Sequence, residues 1–265
     1  MSKLEFLQAA EEAARVAGQI LRDWSEKFTV SEKGPADLVT EADVAAQTAI
    51  YEILHRRFPE HGFLGEEGLR QPAGASGYRW IIDPLDGTSN YVHRFPYYAV
   101  SIGLQQHHEI LAGVIYDPTR DELFAAVRGQ GATLNGRPIR ASRFDRLDRA
   151  MVIASFPPGV TADSLPIRRF LDVLPHAQTI HRSGSSALNL AYVGAGRLDA
   201  YWSTSLKPWD MAAGVLIAAE AGGRVSRMNG APLDIDVPDL LCTNGTAIHE
   251  QLSGLLCDSA RNSQV

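Results

Sequence analysis

The sequence predicts a layered α/β protein. Three observations carry that reading. Two amphipathic helices open the chain, a block of strands joined by short turns follows, and from about residue 140 strands alternate with helices. The class is α/β in the α+β sense, as one domain over 1–265 with sub-halves of about 1–140 (α+β) and 141–256 (α/β) and a frayed tail at 257–265. No linker long enough to separate independent domains, no internal repeat and no low-complexity tract interrupts it.

The elements follow in order. Leu7, Ala10, Ala14, Ala17, Leu21, Trp24 and Phe28 alternate spacings of three and four and predict a long first helix. Lys33, Gly34 and Pro35 predict a loop. Thr40-Glu41-Ala42-Asp43 resembles a capping box, and Ile50, Ile53, Leu54 and Phe58 carry a second helix to Pro59. Two helices are thus expected before any strand. Candidate strands are Tyr78–Ile82, Val100–Gln105, Leu111–Tyr116, Leu123–Val127 and Met151–Ser155, the middle three forming an antiparallel meander. Strands near 177–181, 199–203, 223–227 and 240–243 then alternate with helices near 185–195, 209–221 and 246–256.

Composition narrows the function. The 265 residues are 45% hydrophobic and 21% charged, an ordinary globular balance. Net charge is −6 with basic residues scattered, which argues against non-specific nucleic-acid binding. An acidic balance does not exclude phosphorylated substrates, because bound metal reverses the local sign. Two cysteines, Cys242 and Cys257, imply no disulfide framework and fit a reducing cytoplasm. Glu5, Glu11 and Glu12 without an apolar core segment are unlike a signal peptide, and no apolar run approaches membrane-spanning length.

The most informative stretch is Trp80-Ile81-Ile82-Asp83-Pro84-Leu85-Asp86-Gly87-Thr88. An apolar strand is expected to stop at Pro84, delivering two carboxylates into a turn. Converging carboxylates repel unless a cation sits between them, and a hard divalent ion such as Mg²⁺ takes oxygen ligands. Gly87 lets a ligand approach the backbone and Thr88 adds a hydroxyl. The bland alternative is an Asp/Gly-rich turn; the complete string is much rarer than its parts. Phosphatases with an aspartyl nucleophile are rejected on spacing, since they carry Asp-x-Asp-Gly-Thr near the domain start, whereas two residues separate the acids here.

Other acids have structural and functional readings side by side. Gly65-Glu66-Glu67-Gly68 is an exposed turn in most proteins, but beside the Asp83 motif it offers a third carboxylate. Asp43 either completes the capping box or orients a water with Thr88, and both roles are compatible. Asp210, opening a helix after Pro208-Trp209, is either a cap or a rigidly presented ligand beside the small Ala212, Ala213 and Gly214. Ser183-Gly184-Ser185-Ser186 combines N-caps with a helix start suited to anions or hydroxyls, with Arg182 adjacent. The histidines have no metal-ligand pattern. His107-His108 reads as a solvated turn, and His93 and His181 as packing or hydrogen-bonding residues. No P-loop, nucleophile elbow or dinucleotide fingerprint is present.

In combination these motifs resemble the inositol monophosphatase family. The resemblance rests on Gly65-Glu66-Glu67, Asp83-Pro84-Leu85-Asp86-Gly87-Thr88 and Trp209-Asp210 with Ala212-Ala213-Gly214. It extends through Asp37-Leu38-Val39-Thr40-Glu41-Ala42-Asp43, Asn90–Pro96, Gly131-Ala132 with Asn135-Gly136, and Glu220–Gly223, over roughly residues 5 to 256. It implies an alternating α-β-α-β-α sandwich of the sugar phosphatase type. The implied protein is a Mg²⁺-dependent, Li⁺-sensitive phosphomonoesterase, cytoplasmic and homodimeric. By position, Glu66, Asp83 and the Leu85 carbonyl would hold one metal, and Asp83, Asp86 and Asp210 a second. A third, weaker ion would sit near Glu66, giving two or three Mg²⁺ per site. Asp43 and Thr88 match the water-activating pair. Gly87 and Thr88 match the phosphate cradle, and Gly184, Ser185 and Ser186 the substrate-facing helix start.

One departure concerns the substrate. Inositol-preferring members place a Glu seven residues before the second-motif Asp; here that position is Ser203. Loss of a charged acceptor for substrate hydroxyls weakens polyol selection. Histidinol phosphate, fructose-1,6-bisphosphate, nucleotide 3′-phosphates and sugar phosphates, which relatives hydrolyse, are the alternatives to inositol monophosphate. The competing class is an interaction protein in RNA-related regulation, as some relatives are. The partners expected are a small phosphorylated metabolite and a second copy of the chain, with neither membrane nor nucleic acid.

Overall fold

Helix α1 (Lys3–Trp24) buries a stripe of small side chains, Ala9, Ala10, Ala13, Ala14 and Ala17, flanked by Phe6 and Leu21. Alanine is the best helix former and keeps the helix close to what it covers. The structure, a computed structural model, describes residues 3–27, 29–34 and 37–261. Helix α1 ends at Trp24, so the helix expected to reach Phe28 is shorter, and Phe28 lies outside the described residues. Where a plain loop was expected, β1 (Val30–Gly34) pairs antiparallel with β2 (Asp37–Thr40). The turn signal at Gly34 was sound, but the flanking strands are too short to alternate visibly; Pro35 lies outside the described residues. Helix α2 (Glu41–Arg57) then starts at the Thr40 cap.

An eight-stranded sheet follows. It contains β3 (Gly62–Gly65), β4 (Arg70–Gln71), β5 (Tyr78–Asp86), β6 (Ala99–Gln106), β7 (Glu109–Asp117), β8 (Glu122–Val127), β9 (Ala132–Leu134) and β10 (Arg137–Pro138). Their order is β10-β9-β8-β7-β6-β5-β3-β4. The meander β6-β7-β8 is antiparallel as the sequence predicts, while β3 lies parallel to β5.

Strand β5 does not stop at Pro84 but runs on to Asp86 through a break in register: Asp83 faces Ser101 and Asp86 faces Ala99. Three steps along β5 thus match two along β6, a bulge. In a regular strand, side chains three apart point to opposite faces. The extra residue returns Asp83 and Asp86 to one side, and a bulge is where proline is tolerated within a sheet.

The second sheet is built from β11 (Met151–Ser155), β12 (Thr179–His181), β13 (Ala200–Ser203), β14 (Arg224–Ser226) and β15 (Leu240–Thr243), in the order β12-β11-β13-β15-β14. The remaining helices are α3 (Thr88–Val92), α4 (Leu165–Val173), α5 (Ser186–Gly194), α6 (Pro208–Glu220) and α7 (Ile248–Arg261). Helix α4 was not foreseen; Pro166 interrupts its pattern but sits in the first turn, where a missing N–H costs nothing. Helix α7 continues through Cys257 to Arg261, so the frayed tail is not observed over 257–261; residues 262–265 lie outside the described part.

Three apolar clusters separate five layers. One joins α1 and α2 to the eight-stranded sheet, the next holds α5 and α6 between the sheets, and the third joins α4 and α7 to the outer face of the five-stranded sheet. The α-β-α-β-α sandwich is therefore present. No helix among the described residues is long and apolar enough to cross a membrane. Both cysteines are free, Cys242 buried and Cys257 half-buried.

Candidate active site

The β5 bulge, the N-terminus of α5 and the N-terminus of α6 meet at one point. One carboxylate oxygen from each of Asp83, Asp86 and Asp210 lies within 4.8 Å of the other two. Asp83 and Asp86 are buried and Asp210 half-buried. The three arrive by different routes. Asp83 turns one oxygen onto its own bulge, where the Leu85 N–H donates to Oδ1 at 3.0 Å. Asp86 reaches across to α5. It accepts from the Ser185 hydroxyl, from Ser186 N at 3.1 Å and from Ala187 N at 2.8 Å. Asp210 caps α6, accepting Lys207 N at 2.7 Å. The capping and ligand readings of Asp210 thus hold together.

Glu66 joins from the turn after β3. Its N–H donates to Ile82 O at 3.1 Å, and its side chain makes a hydrogen-bonding contact with Asp83. That turn is fastened from two sides. Gln47 donates to Glu67 O and accepts from Glu67 N, both at 3.0 Å. Arg70 donates to Gly65 O and lies over the Trp209 ring at 5.2 Å, bracing the Glu66 turn against the residue before Asp210. Sequence reasoning missed both. Gln47 had one signal, standing one helical turn beyond Asp43 on α2; Arg70 had none.

Electrostatics shows what the cluster lacks. Burial raises the Asp83 carboxyl well above the usual range, and the charges of Glu66, Asp86 and Asp210 push it further. Asp86 is raised to about 6 by burial, against the opposing hydrogen bonds from Ser185, Ala187 and Ser186. Asp210 is raised by burial and by Asp86. Among the described residues, no ion pair brings Lys or Arg to these three acids. An all-oxygen donor set whose members raise one another's pKa fits a hard divalent cation.

Beside this cluster Asp43 is fully buried, and its two oxygens are divided. Oδ2 accepts Thr40 N at 2.9 Å and Thr40 Oγ1 at 2.5 Å, completing the capping box. Oδ1 lies 3.4 Å from Thr88 Oγ1, which also lies 3.2 Å from Leu85 O. Both sequence readings of Asp43 are therefore compatible with the geometry, and its link to the open side is the half-buried Thr88.

The loops around the acids have little room. Gly87 adopts φ 99°, and a Cβ there would lie 3.1 Å from Tyr97 O and 3.3 Å from Gly184 O. Asn90 donates to Tyr97 O at 2.7 Å and Ser183 O at 2.9 Å, tying the Gly87 loop to the Gly184 loop. Ser185 is the α5 N-cap, accepting from Leu188 N. Ser186 receives the Tyr201 hydroxyl at 2.9 Å.

Ser203 ends β13. It shares the Tyr201 face of β13 and so looks towards the site, but it is fully buried, with Ser205 N 3.4 Å from its hydroxyl. As folded it does not reach a ligand surface. Arg182 points away as well, donating to Phe156 O and stacking on the Phe156 ring. His93, His107, His108 and His181 are all exposed, and none joins the acids.

The comparisons with known proteins agree with one another. The model of the inositol monophosphatase family matches residues 2–264. The chain is 43% identical over 254 residues to the inositol-1-monophosphatase of Synechocystis sp., covering 95% of this chain and 88% of that protein. It is 41% identical over 233 residues to the Nus factor SuhB of Pseudomonas aeruginosa, covering 85% and 86%. The extragenic suppressor protein suhB from Bartonella henselae superposes with a TM-score of 0.90 at 39% identity, covering 95% of this chain and 98% of that one. Matching family model, close relatives and superposable folds place the chain in the inositol monophosphatase family.

Proposed function

We propose that the chain hydrolyses a small phosphomonoester by attack of an oriented water at a Mg²⁺ site, and that inositol monophosphate or a related polyol or sugar phosphate is its substrate. The phosphomonoesterase class follows from the family. The observation that carries the metal reading is the convergence of Asp83, Asp86 and Asp210 within 4.8 Å, with no ion pair to Lys or Arg among the described residues. Glu66, Asp83, Asp86, Asp210 and the Leu85 carbonyl would hold two or three ions. Bound Mg²⁺ lowers the pKa of a coordinated water and neutralises charge building on the phosphoryl oxygens.

The chain's own groups then have distinct tasks. The buried Asp43 cannot touch solvent, so it acts through Thr88: the hydroxyl accepts from the attacking water and donates onward to Asp43 Oδ1. The present 3.4 Å separation is long for such a bond, and catalytic contacts commonly tighten once substrate is bound. The Gly87 loop and the Gly184–Ser186 helix start would face the phosphate and its alcohol, with the Ser185 hydroxyl and Ser186 N–H engaged in holding Asp86. Asn90 keeps the two loops in register. No side-chain nucleophile is required.

The family reading extends to Li⁺ inhibition, a homodimer and a cytoplasmic setting. Likeness to proteins named Nus factor does not displace the enzyme reading, which the convergence of Asp83, Asp86 and Asp210 supports. The test is a panel of phosphomonoesters assayed with and without Mg²⁺. Metal-dependent turnover of at least one member is expected, and its absence across the panel overturns the reading.

A further inference from the structure

Strand pairing places two arginines on the inner face of the eight-stranded sheet. Leu64 of β3 pairs with Arg70 of β4 and with Ile81 of β5. Arg79, two residues before Ile81, pairs with Gln105 of β6. Paired residues share a face of a sheet, and so do residues two apart on one strand. Arg70, Leu64, Ile81, Arg79 and Gln105 therefore form one continuous patch. Ile81 belongs to the core between the two sheets and Leu64 packs against it, so the patch faces the layer of α5 and α6.

Helix α6 covers the Ile81 end of this patch, where Gly103, the partner of Ile81, packs on Ala212. At the other end Leu64, Arg70, Arg79 and Gln105 line a cavity of about 550 Å³ with His107 and His108. Its rim is fastened. Gln106 Nε2 donates to Ser76 O at 3.1 Å, and Gly74 N donates to Glu60 O at 3.1 Å. The His107 ring fills the space beside Gly77, where a Cβ would lie 2.8 Å from it. The half-buried Arg79 is held by a neutral group: its Nε and Nη2 both donate to Oε1 of the buried Gln105, at 3.1 and 2.6 Å. Arg70 donates to two carbonyls, Gly65 O and, at 2.7 Å, Leu69 O. Among the described residues neither arginine forms an ion pair. The acid in the cavity wall, Asp236, is exposed.

A guanidinium drawn partly out of water calls for a counter-charge, and a neutral amide does not supply one. Its planar fork fits the paired oxygens of a carboxylate or phosphate. Two such forks on one wall, beside the apolar Leu64, suit two anionic groups on a short carbon frame. The cavity has the volume of a small-molecule site, about 300–1,000 Å³. It is separate from the carboxylate cluster: Arg79 and Asp83 are four residues apart on β5, roughly 13 Å, with Ile81 between them. We propose that this cavity is a second ligand site, binding a small organic dianion whose carboxylate or phosphate groups pair with Arg79 and Arg70.

The test uses the full chain without added Mg²⁺, so that the uncompensated acids of the other site repel anions. Two non-hydrolysable probes, tricarballylate and methylenebisphosphonate, are titrated by calorimetry at constant ionic strength. Saturable binding of at least one is expected, with Kd of about 1 mM or tighter. The tighter of the two shows whether the natural ligand is carboxylated or phosphorylated. Arg79→Gln should weaken binding by about tenfold or more, and Arg79→Lys, which keeps the charge but loses the fork, by less. Both variants should keep the wild-type melting temperature without probe and wild-type phosphatase turnover with Mg²⁺. The turnover readout is independent of the binding readout, so failure of the phosphatase reading would leave this test standing. The proposal is overturned if neither probe binds saturably, if NaCl at matched ionic strength reproduces the heat, or if Arg79→Gln binds as wild type does.

Discussion

Asp86 on β5 accepts the Ala187 backbone N–H of α5 at 2.8 Å, joining residues 101 apart in sequence. A buried carboxylate of one sheet is thereby held at the positive end of a helix that lies between the two sheets. Ser185 completes the hold. Ser185→Ala removes both a hydrogen bond to Asp86 and the α5 N-cap. We expect a stability loss of about 1–2 kcal/mol and a raised Mg²⁺ requirement. Thermal melts and Mg²⁺ activation curves check it; a melt that falls while the Mg²⁺ curve stays put would confine Ser185 to capping.

Asp83→Asn removes the most crowded charge of the cluster. Turnover should fall by about 10²-fold or more, while the metal-free protein melts no lower than wild type. Its circular dichroism should be unchanged. Near-wild-type turnover would rule out the metal assignment.

Thr88→Ala and Asp43→Asn should each lower kcat more than they raise the Mg²⁺ requirement, because neither is assigned to a cation. Since Asp43 reaches the open side through Thr88, the double variant should be little worse than either single one. Additive losses in kcat would refute the relay.

Metal and protons compete for the same oxygens. Asp86 titrates at about 6 and Asp83 and Asp210 are raised too, so Mg²⁺ should raise the melting temperature more at about pH 8 than at about pH 5. An equal shift at both would mean the ion binds elsewhere.

Another pH effect lies in the first core. His61 stacks between Phe58 and Tyr78 at 5.0 and 4.8 Å, and burial pushes its pKa down to about 4. A lowered histidine pKa means the unfolded chain takes the proton first. Its contribution is complete above the ordinary value of 6.5 and is lost as pH falls towards 4. The carboxylates of the site act in the opposite sense there, so wild type must be compared with His61→Phe. The substituted protein should lose less stability across that window in denaturant titrations; parallel profiles would contradict the assignment.

Ser203→Glu introduces the acid that inositol-preferring relatives carry. From the face shared with Tyr201, the longer side chain should shift kcat/KM towards inositol 1-phosphate by about 1–2 kcal/mol, roughly 5–30-fold. Competing panel substrates provide the reference, and a melt separates selection from misfolding. An unchanged ratio in a well-folded variant would detach Ser203 from specificity.

Much of this was legible in the chain because its strongest signals are local. The meander, the alternation after residue 140 and the acids of the site all lie in short strings whose chemistry is unusual. What escaped was non-local or hidden by proline. Helix α4 begins with Pro166 in its pattern, and β5 runs through Pro84 because β6 supplies the other half of a bulge that no single strand announces. The burial of Ser203 and the brace of Arg70 on Trp209 depend on elements brought together only by folding.

The bulge in β5 also sets what kinds of genetic change the site can absorb. A substitution at Leu85 alters one side chain, but gain of a single codon between Asp83 and Asp86 would add a step beyond the one the bulge absorbs and turn one of the two acids towards the opposite layer. The lineage can therefore drift in residue type along this strand far more freely than in length. Such an insertion would leave the reading frame intact and every acid in the sequence, yet the protein would have no place to gather them.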